Sequence, residues 1–253
     1  MRSGALGTLI ATASRRRSGW VLLATVVGVA ATLRLGFWQL DRAAQKIAIQ
    51  TRIDARRTLP VVDAAGLAST ADTAAGQHYR RAALRGSWLA DRTVFLDNRQ
   101  MHGVPGFYVV TPLRLEGRSE AVLVQRGWVA RSFTDRSALP PIPTPAGPMQ
   151  IEGLIAPPPS RLYDFAPAAS GPIRQNLDLD AYAREARTPL LPLSVLQSES
   201  PATAGDGMRR EWPLPALDFQ KHYGYAFQWF ALAALMTGLY VWFQLLRPGR
   251  RDD

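Results

Sequence analysis

From Tyr223 to Leu246 the chain runs for 24 residues without a single charge. A helix rises about 1.5 Å per residue, so this stretch is long enough to cross a hydrocarbon core of roughly 30 Å. Inside a bilayer each backbone polar group must find its partner within the segment, which leaves the helix as the only form for a lone span. The segment thus predicts a membrane-anchored chain. His222, the most titratable side chain in this region, stands at the water–lipid boundary where the run begins.

A second apolar run opens the chain. After Arg15, Arg16 and Arg17, residues Ser18 to Leu33 are uncharged; Arg34 interrupts, and Leu35-Gly36-Phe37-Trp38-Gln39-Leu40 follows. Read as one helix, this is a span over residues 18–40 in which the long Arg34 side chain snorkels to the interface. Trp20 and Trp38 sit at its two ends, as interfacial aromatics do. Two other readings exist. A cleaved signal peptide would take Arg15–Arg17 as its basic region and Gly28-Val29-Ala30 as its cleavage site, but the continuing Leu35–Leu40 run argues against it. The absence of acids before Asp41 also has the character of a mitochondrial transit peptide, for which the stretch is short.

Charge supports the two-span reading. The net charge of +10 is concentrated at the ends: residues 41–221 hold 22 basic and 18 acidic residues, and the flanks hold 8 basic and 2 acidic. A nucleic-acid binder would carry its basic excess on the folded domain, so nucleic acid is not expected as a partner. Basic residues flank both outer ends, at Arg15–Arg17 and at Arg247, Arg250 and Arg251. The positive-inside rule then puts both termini in the cytoplasm and the middle region outside it. The expected layout is a cytoplasmic N-terminus (1–17), a first transmembrane helix (18–40), an extracytoplasmic, periplasmic domain (41–222), a second transmembrane helix (223–246) and a cytoplasmic C-terminus (247–253). This places the protein in a bacterial inner membrane, with a mitochondrial inner membrane as the lesser alternative. Mean hydropathy of −0.08 fits a soluble domain with few spans. With no cysteine, thiolate metal sites and disulfides are excluded.

The fold class expected is an α+β membrane protein, two transmembrane helices flanking a β-rich domain. A helix continues out of the first span, about Asp41 to Arg57, and a loop follows over Pro60–Gly76. Strands are expected at Tyr79–Trp88, Thr93–Asn98, Phe107–Leu115, Ala121–Ala130, Gln150–Ala156, Ile173–Leu177 and Leu190–Gln197, with a short helix at Asp178–Arg187. Within Ala121–Ala130, the apolar run from Val122 reads as a buried strand ending at a bulge or turn at Gly127. Five prolines between Pro140 and Pro148 forbid a regular ladder there. Ser198–Leu217 reads as a polar connector. A small barrel or a sandwich would close such a set of strands.

Catalytic motifs are sparse. No P-loop, dinucleotide-binding glycine motif, zincin motif or nucleophile elbow occurs, and no enzymatic activity is expected. His78 and His102 read as surface or hydrogen-bonded histidines. Asp91, Asp97, Asp178 and Asp180 read as caps and turn formers. His222 differs by its place. On a helix it shares a face with Tyr225, Ala226 and Trp229, an imidazole above aromatic walls. Such a face suits haem, whose iron commonly takes a protein histidine. The competing reading is an interfacial histidine among belt aromatics.

Several segments together resemble the surfeit locus protein family, membrane-bound assembly factors of haem–copper cytochrome c oxidase. They are Leu35-Gly36-Phe37-Trp38-Gln39-Leu40-Asp41-Arg42, Tyr79-Arg80-Arg81 with Gly86, and Asn98-Arg99 with Gly103-Val104-Pro105-Gly106-Phe107. Thr111-Pro112-Leu113, Arg126-Gly127-Trp128-Val129, Glu152-Gly153, Gln175-Asn176 and Lys221-His222-Tyr223-Gly224-Tyr225-Ala226-Phe227-Gln228-Trp229-Phe230 continue the likeness in the family's order, from about Leu35 to Trp242. Val129-Ala130-Arg131-Ser132 departs from it by lacking a proline, and Ser198–Met208 by being an insertion. The resemblance implies a role in building oxidase subunit I, with haem a as cofactor and His222 as its axial iron ligand. Tyr225 and Trp229 would wall the site, and subunit I, the haem a synthesis machinery and the lipid bilayer would be its partners. A haem-independent scaffold for subunit I is the alternative. Within Arg126-Gly127-Trp128, Gly127 is expected to permit a tight backbone and Trp128 to pack the domain core.

Overall fold

The computed structural model describes residues 3–132, 134–135, 138–160, 162, 171–212 and 218–247, with side chains from residue 18 onward. The chain divides into two compact units, a helical one (residues 1–51 and 215–253) and a β-rich one (residues 52–214).

The elements are α1 (Ser3–Arg57), α2 (Ala71–Gln77), β1 (Arg81–Trp88), β2 (Val94–Met101), β3 (Val104–Leu115), β4 (Ala121–Ala130), β5 (Pro148–Ala156), β6 (Ile173–Arg174), α3 (Leu179–Ala186), β7 (Leu190–Gln197) and α4 (Gln220–Tyr240), which continues as a π-helical turn over Val241–Leu246. The first apolar run and the expected helix beyond it are thus one helix. Over residues 18–57 and 220–246 the mean hydropathy of the most apolar stretch is 1.8 and 1.6, long and apolar enough in each case to cross a membrane.

In the β-rich unit the strands run β1-β5-β7-β4-β3, and β1 returns to pair with β3 through Gly86–Leu115 to Trp88–Leu113. Five strands therefore close into a small barrel, which removes their free edges. β2 and β6 extend the sheet beyond β3. β4 lies between β3 and β7, parallel to β7, and nine of its ten residues are buried. That is why it reads as a nearly continuous apolar run. A main core of Leu84, Leu113, Val122, Val124, Ile155 and Leu193 lies among these strands. A second cluster puts Tyr182 of α3 against Leu96 and Leu123.

Turn chemistry fixes the register. β2 and β3 are joined by His102-Gly103, with φ of 50° and 78°, and Met101 pairs with Val104. Positive φ at both central residues matches a two-residue primed hairpin turn, whose twist suits the flanking strands. In β4, Val109 faces Gly127 and Val110 faces Gln125. The extra residue of the bulge is therefore Arg126, one position before the expected Gly127, and the strand continues to Ala130.

Other expectations are corrected. The Pro60–Gly76 stretch is not all loop: Thr70 caps α2 through Thr73 N–H, and the Gln77 side chain ties the preceding loop by accepting from Ala68 N–H and donating to Gly66 O. The expected strand at Ile173–Leu177 shrinks to two residues, paired in parallel with Phe95 and Leu96 of β2. Of the connector at Ser198–Leu217, residues 198–212 are described. Its Arg209 forms a two-way backbone bridge with Trp128 at 2.7 and 2.9 Å; the remainder lies outside the described residues.

Candidate functional site

In the helical unit α1 and α4 pack through small residues. Gly28, Thr32 and Gly36 recur every fourth residue on α1, and Thr32 is buried together with Ala226 and Ala233 of α4. Thr32 hides its hydroxyl by donating to Gly28 O at 2.9 Å. A Cβ at Gly36 would lie 2.7 Å from the Phe230 ring, and one at Gly28 3.3 Å from Met236 Sδ. Close approach through small residues is how apolar helices gain contact when no hydrophobic force distinguishes neighbour from lipid. Phe37 meets Phe230 edge-on, centroids 5.3 Å apart.

This packing brings His222 to Gln39. The imidazole Nδ1 lies 2.7 Å from the Gln39 amide oxygen, 183 residues away in sequence. An amide oxygen only accepts, so Nδ1 is the donor of this bond, and in the neutral imidazole Nε2 then keeps its lone pair. No partner for Nε2 occurs among the described residues. Metal-binding histidines are commonly held in this way, with one nitrogen fixed by an acceptor and the other free to ligate. His222 is half-buried. Of the two expected walls, Trp229 is half-buried and Tyr225 is 51% exposed. All three stand on one flank of α4, and Ala226 takes the buried centre. Gln39 is the group the sequence reading did not assign. It stands within the Leu35–Leu40 stretch, and no pattern in one sequence pairs it with His222.

The remaining candidates separate from this site. His102 is exposed and bonds Glu211 at 2.6 Å. His78 is half-buried, its Nε2 without a hydrogen bond among the described residues; burial first, and the Arg56 charge second, hold its pKa below the ordinary value. No cluster of three or more metal-ligating side chains occurs among the described residues. Asp178 caps α3 by accepting from Ala181 N–H at 3.0 Å. Asp97 accepts from Asn98 N–H and pairs with Arg131 at 3.4 Å. Asp91 pairs with Arg92. Asp178 is thus the expected cap, Asp180 stands in the first turn of α3, and Asp91 and Asp97 form ion pairs with arginines rather than the expected caps.

Arg126-Gly127-Trp128 likewise serves the barrel. Trp128 is buried and donates from its indole to Arg99 O at 2.8 Å. A Cβ at Gly127 would sit 2.6 Å from Met208 Cβ. The bulged Arg126 turns inward to donate to Pro143 O at 2.6 Å and Thr144 Oγ1 at 2.8 Å, pinning the proline-rich loop. Its guanidinium lies 4.8 Å from the Trp88 ring. Burial lowers its pKa to about 10, so the group stays charged at neutral pH.

Comparison with known proteins gives a consistent picture. A family model described as the SURF1 family matches residues 26–234. A SURF1-like protein of Monosiga brevicollis is 31% identical over 163 residues, 60% of this chain and 58% of that protein. A SURF1-like protein of Rickettsia bellii is 26% identical over 215 residues, 81% of this chain and 83% of that protein. The cytochrome oxidase assembly protein SHY1 of Saccharomyces cerevisiae is 27% identical over 96 residues, 38% of this chain and 24% of its own length.

Proposed function

Because the chain belongs to the SURF1 family, we propose that it works in the assembly of cytochrome oxidase, the role that the yeast relative's name states for that protein. It acts from a bacterial inner membrane. The apolar parts of α1 and α4 are its two spans, both basic termini face the cytoplasm, and the β-rich unit faces the periplasm. Its partner is the oxidase complex, with subunit I as the recipient and the haem a synthesis machinery as the donor.

We further propose that it holds haem a at the outer end of the helix pair. The observation that carries this reading is the Gln39–His222 bond. It leaves an oriented Nε2 lone pair at a half-buried position, which fits an axial ligand. Trp229 and Tyr225 supply the aromatic flank. Haem a, when bound, would supply an iron that this nitrogen could ligate. Delivery then needs only that the recipient bind the haem more tightly than the carrier does, and no catalytic side chain.

One observation favours a second reading. Tyr225 is 51% exposed, so the flank is open rather than enclosed. An open aromatic flank also suits a haem-independent scaffold that docks a newly made subunit I. The absorption spectrum of the detergent-purified chain, co-expressed with haem a synthesis enzymes, separates the two. A Soret band that disappears in His222→Ala, with far-UV circular dichroism unchanged, supports the haem reading. Colourless samples from cells whose oxidase fails to assemble without the protein support the scaffold.

A further inference from the structure

Haem delivery gives no role to the other end of the helix pair. At Gly28 the two helices touch, since a Cβ there would come 3.3 Å from Met236 Sδ. Further toward the chain ends they meet again, where Ser18 Oγ donates to Gln244 Oε1 at 3.4 Å. Along the side of the pair between these two contacts lies a groove of about 450 Å³. Val21, Ala24 and Thr25 of α1 form one wall, and Met236, Leu239 and Phe243 of α4 and its π-helical turn form the other. Thr25 spends its hydroxyl on Val21 O at 2.9 Å, which leaves these walls apolar. Leu239 is 47% and Phe243 57% exposed, so nothing among the described residues covers the groove.

Its depth and its chemistry both select an occupant. Ser18 and Gly28 stand ten residues apart, roughly 15 Å of helix, which is half of a hydrocarbon core of roughly 30 Å. The groove is therefore one leaflet deep and ends at Gly28, near the midplane. Its other end is polar and basic. The Gln244 Nε2 donors have no partner among the described residues, and an amide in hydrocarbon is costly until it finds one. The exposed Arg247 follows within a turn. In the sequence Arg250 and Arg251 lie beyond it, and Arg15, Arg16 and Arg17 precede Ser18. The π-helical turn Val241–Leu246 falls at this end, and such turns recur at functional sites. An occupant must be apolar for the depth of one leaflet and anionic at the basic end.

We propose that this groove holds an anionic phospholipid of the leaflet at the basic chain ends. One acyl chain lies between the Val21–Thr25 wall and the Met236–Phe243 wall. The phosphate sits at the level of Ser18, Gln244 and Arg247, where the Gln244 amide and the guanidinium donate to it. Basic pockets between spans recognise anionic headgroups in this way, and a guanidinium offers a phosphate forked, charge-assisted bonds. This assignment rests on the reading of α1 and α4 as two spans and is independent of the haem reading.

The test reconstitutes the full chain in phosphatidylcholine vesicles with a trace of phosphatidylglycerol that carries a photoreactive diazirine in one acyl chain. Crosslinks are mapped by peptide mass spectrometry, and a phosphatidylcholine probe with the same chain is run beside it. Labelling by the phosphatidylglycerol probe should gather on residues 21–25 and 236–244 and exceed that by the phosphatidylcholine probe. Arg247→Gln should lower it about fivefold and leave the phosphatidylcholine labelling unchanged. Ala24→Phe, which fills the groove, should abolish the preference for these residues, whereas Leu22→Phe, outside the lining, should keep it; circular dichroism checks the fold of each variant. Even labelling around both helices, or equal labelling by the two probes, would overturn the proposal. Groove residues shielded from both probes while the rest of the helices react would mean that a protein segment covers the groove, and would overturn it too. Helices that neither probe labels anywhere would overturn the two-span reading along with it.

Discussion

At the scale of single residues, the Gln39–His222 pair makes the sharpest demand. Replacing Gln39 by Leu removes the acceptor that fixes the Nδ1–H tautomer, leaves the imidazole free to turn, and takes one bond from the helix pair. Losses of this outer support typically lower metal affinity about 10- to 100-fold. Gln39→Leu should therefore weaken haemin binding by that order in a Soret titration, with unchanged circular dichroism. An unchanged affinity would mean that the bond serves helix pairing alone. His78 makes a different demand, on stability. Its folded pKa lies below the ordinary 6.5, first through burial and second through Arg56. As pH falls below 6.5 the unfolded chain gains a proton that the folded one resists, so stability present above pH 6.5 is lost as pH falls toward the folded value. Thermal unfolding of the full chain should drop more steeply from pH 7.5 to 5.5 in wild type than in His78→Gln; equal slopes would remove His78 from the account. Position singles out His222 in the sequence, one residue before an uncharged run. Nothing there singles out Gln39, because a hydrogen bond across 183 residues leaves no periodic trace.

At the scale of elements, Gly36 and Gly127 are among the glycines whose neighbours stand at distances that no Cβ allows. Gly36→Leu would drive a side chain into the Phe230 ring, where even a Cβ comes within 2.7 Å. Overpacking of this kind costs about 1–3 kcal/mol, and α1 and α4 must separate to relieve it. The chain has no native cysteine, so cysteines placed at Ser18 and Gln244, whose side chains lie within 3.4 Å, can report the separation. Their yield with a short bifunctional thiol reagent should fall in Gly36→Leu. Gly127→Val should lift the Met208–Arg209 strap, whose Arg209 O is 3.1 Å from the missing Cβ. Amide exchange should then speed up at Arg209 and Trp128 while the β1–β5 ladder keeps its protection; uniform loss would instead mean that the whole barrel had failed. The elements read best from sequence were those with one dominant cause. Ala121–Ala130 and Leu190–Gln197 end where expected because buried runs bounded by Gly, Pro or polar residues leave little choice. β2 extends three residues beyond the expectation, since Asn98 has positive φ and the pairing with β3 resumes after it at Arg99. α2 was missed because its cap, Thr70, sits among residues that also build loops. β6 is short because its two residues gain strand form only by pairing with β2. The closure of β1 onto β3 is a long-range pairing that strand patterns alone do not choose over a sandwich.

For the molecule as a whole, the proposed function depends on which side of the membrane each unit faces. Basic residues beyond both spans predict that the two termini share the cytoplasmic side, and two crossings then put the β-rich unit on the other. The cysteine-free chain makes this directly measurable. A single cysteine at the exposed Ser119, in the β3–β4 turn, should react with a membrane-impermeant maleimide in intact spheroplasts. A cysteine appended after Asp253 should react only after lysis. Labelling of both from outside would mean that the chain crosses once, and labelling of the appended cysteine alone would mean an inverted chain. In either case the role of His222 changes with the topology. Haem a could then not be received at the outer face through Gln39 and His222, and the helix pair would have to serve the oxidase by contact alone. If the expected pattern is found, the proposed ligand site at Gln39 and His222 faces the compartment from which the delivery reading requires haem a to be received.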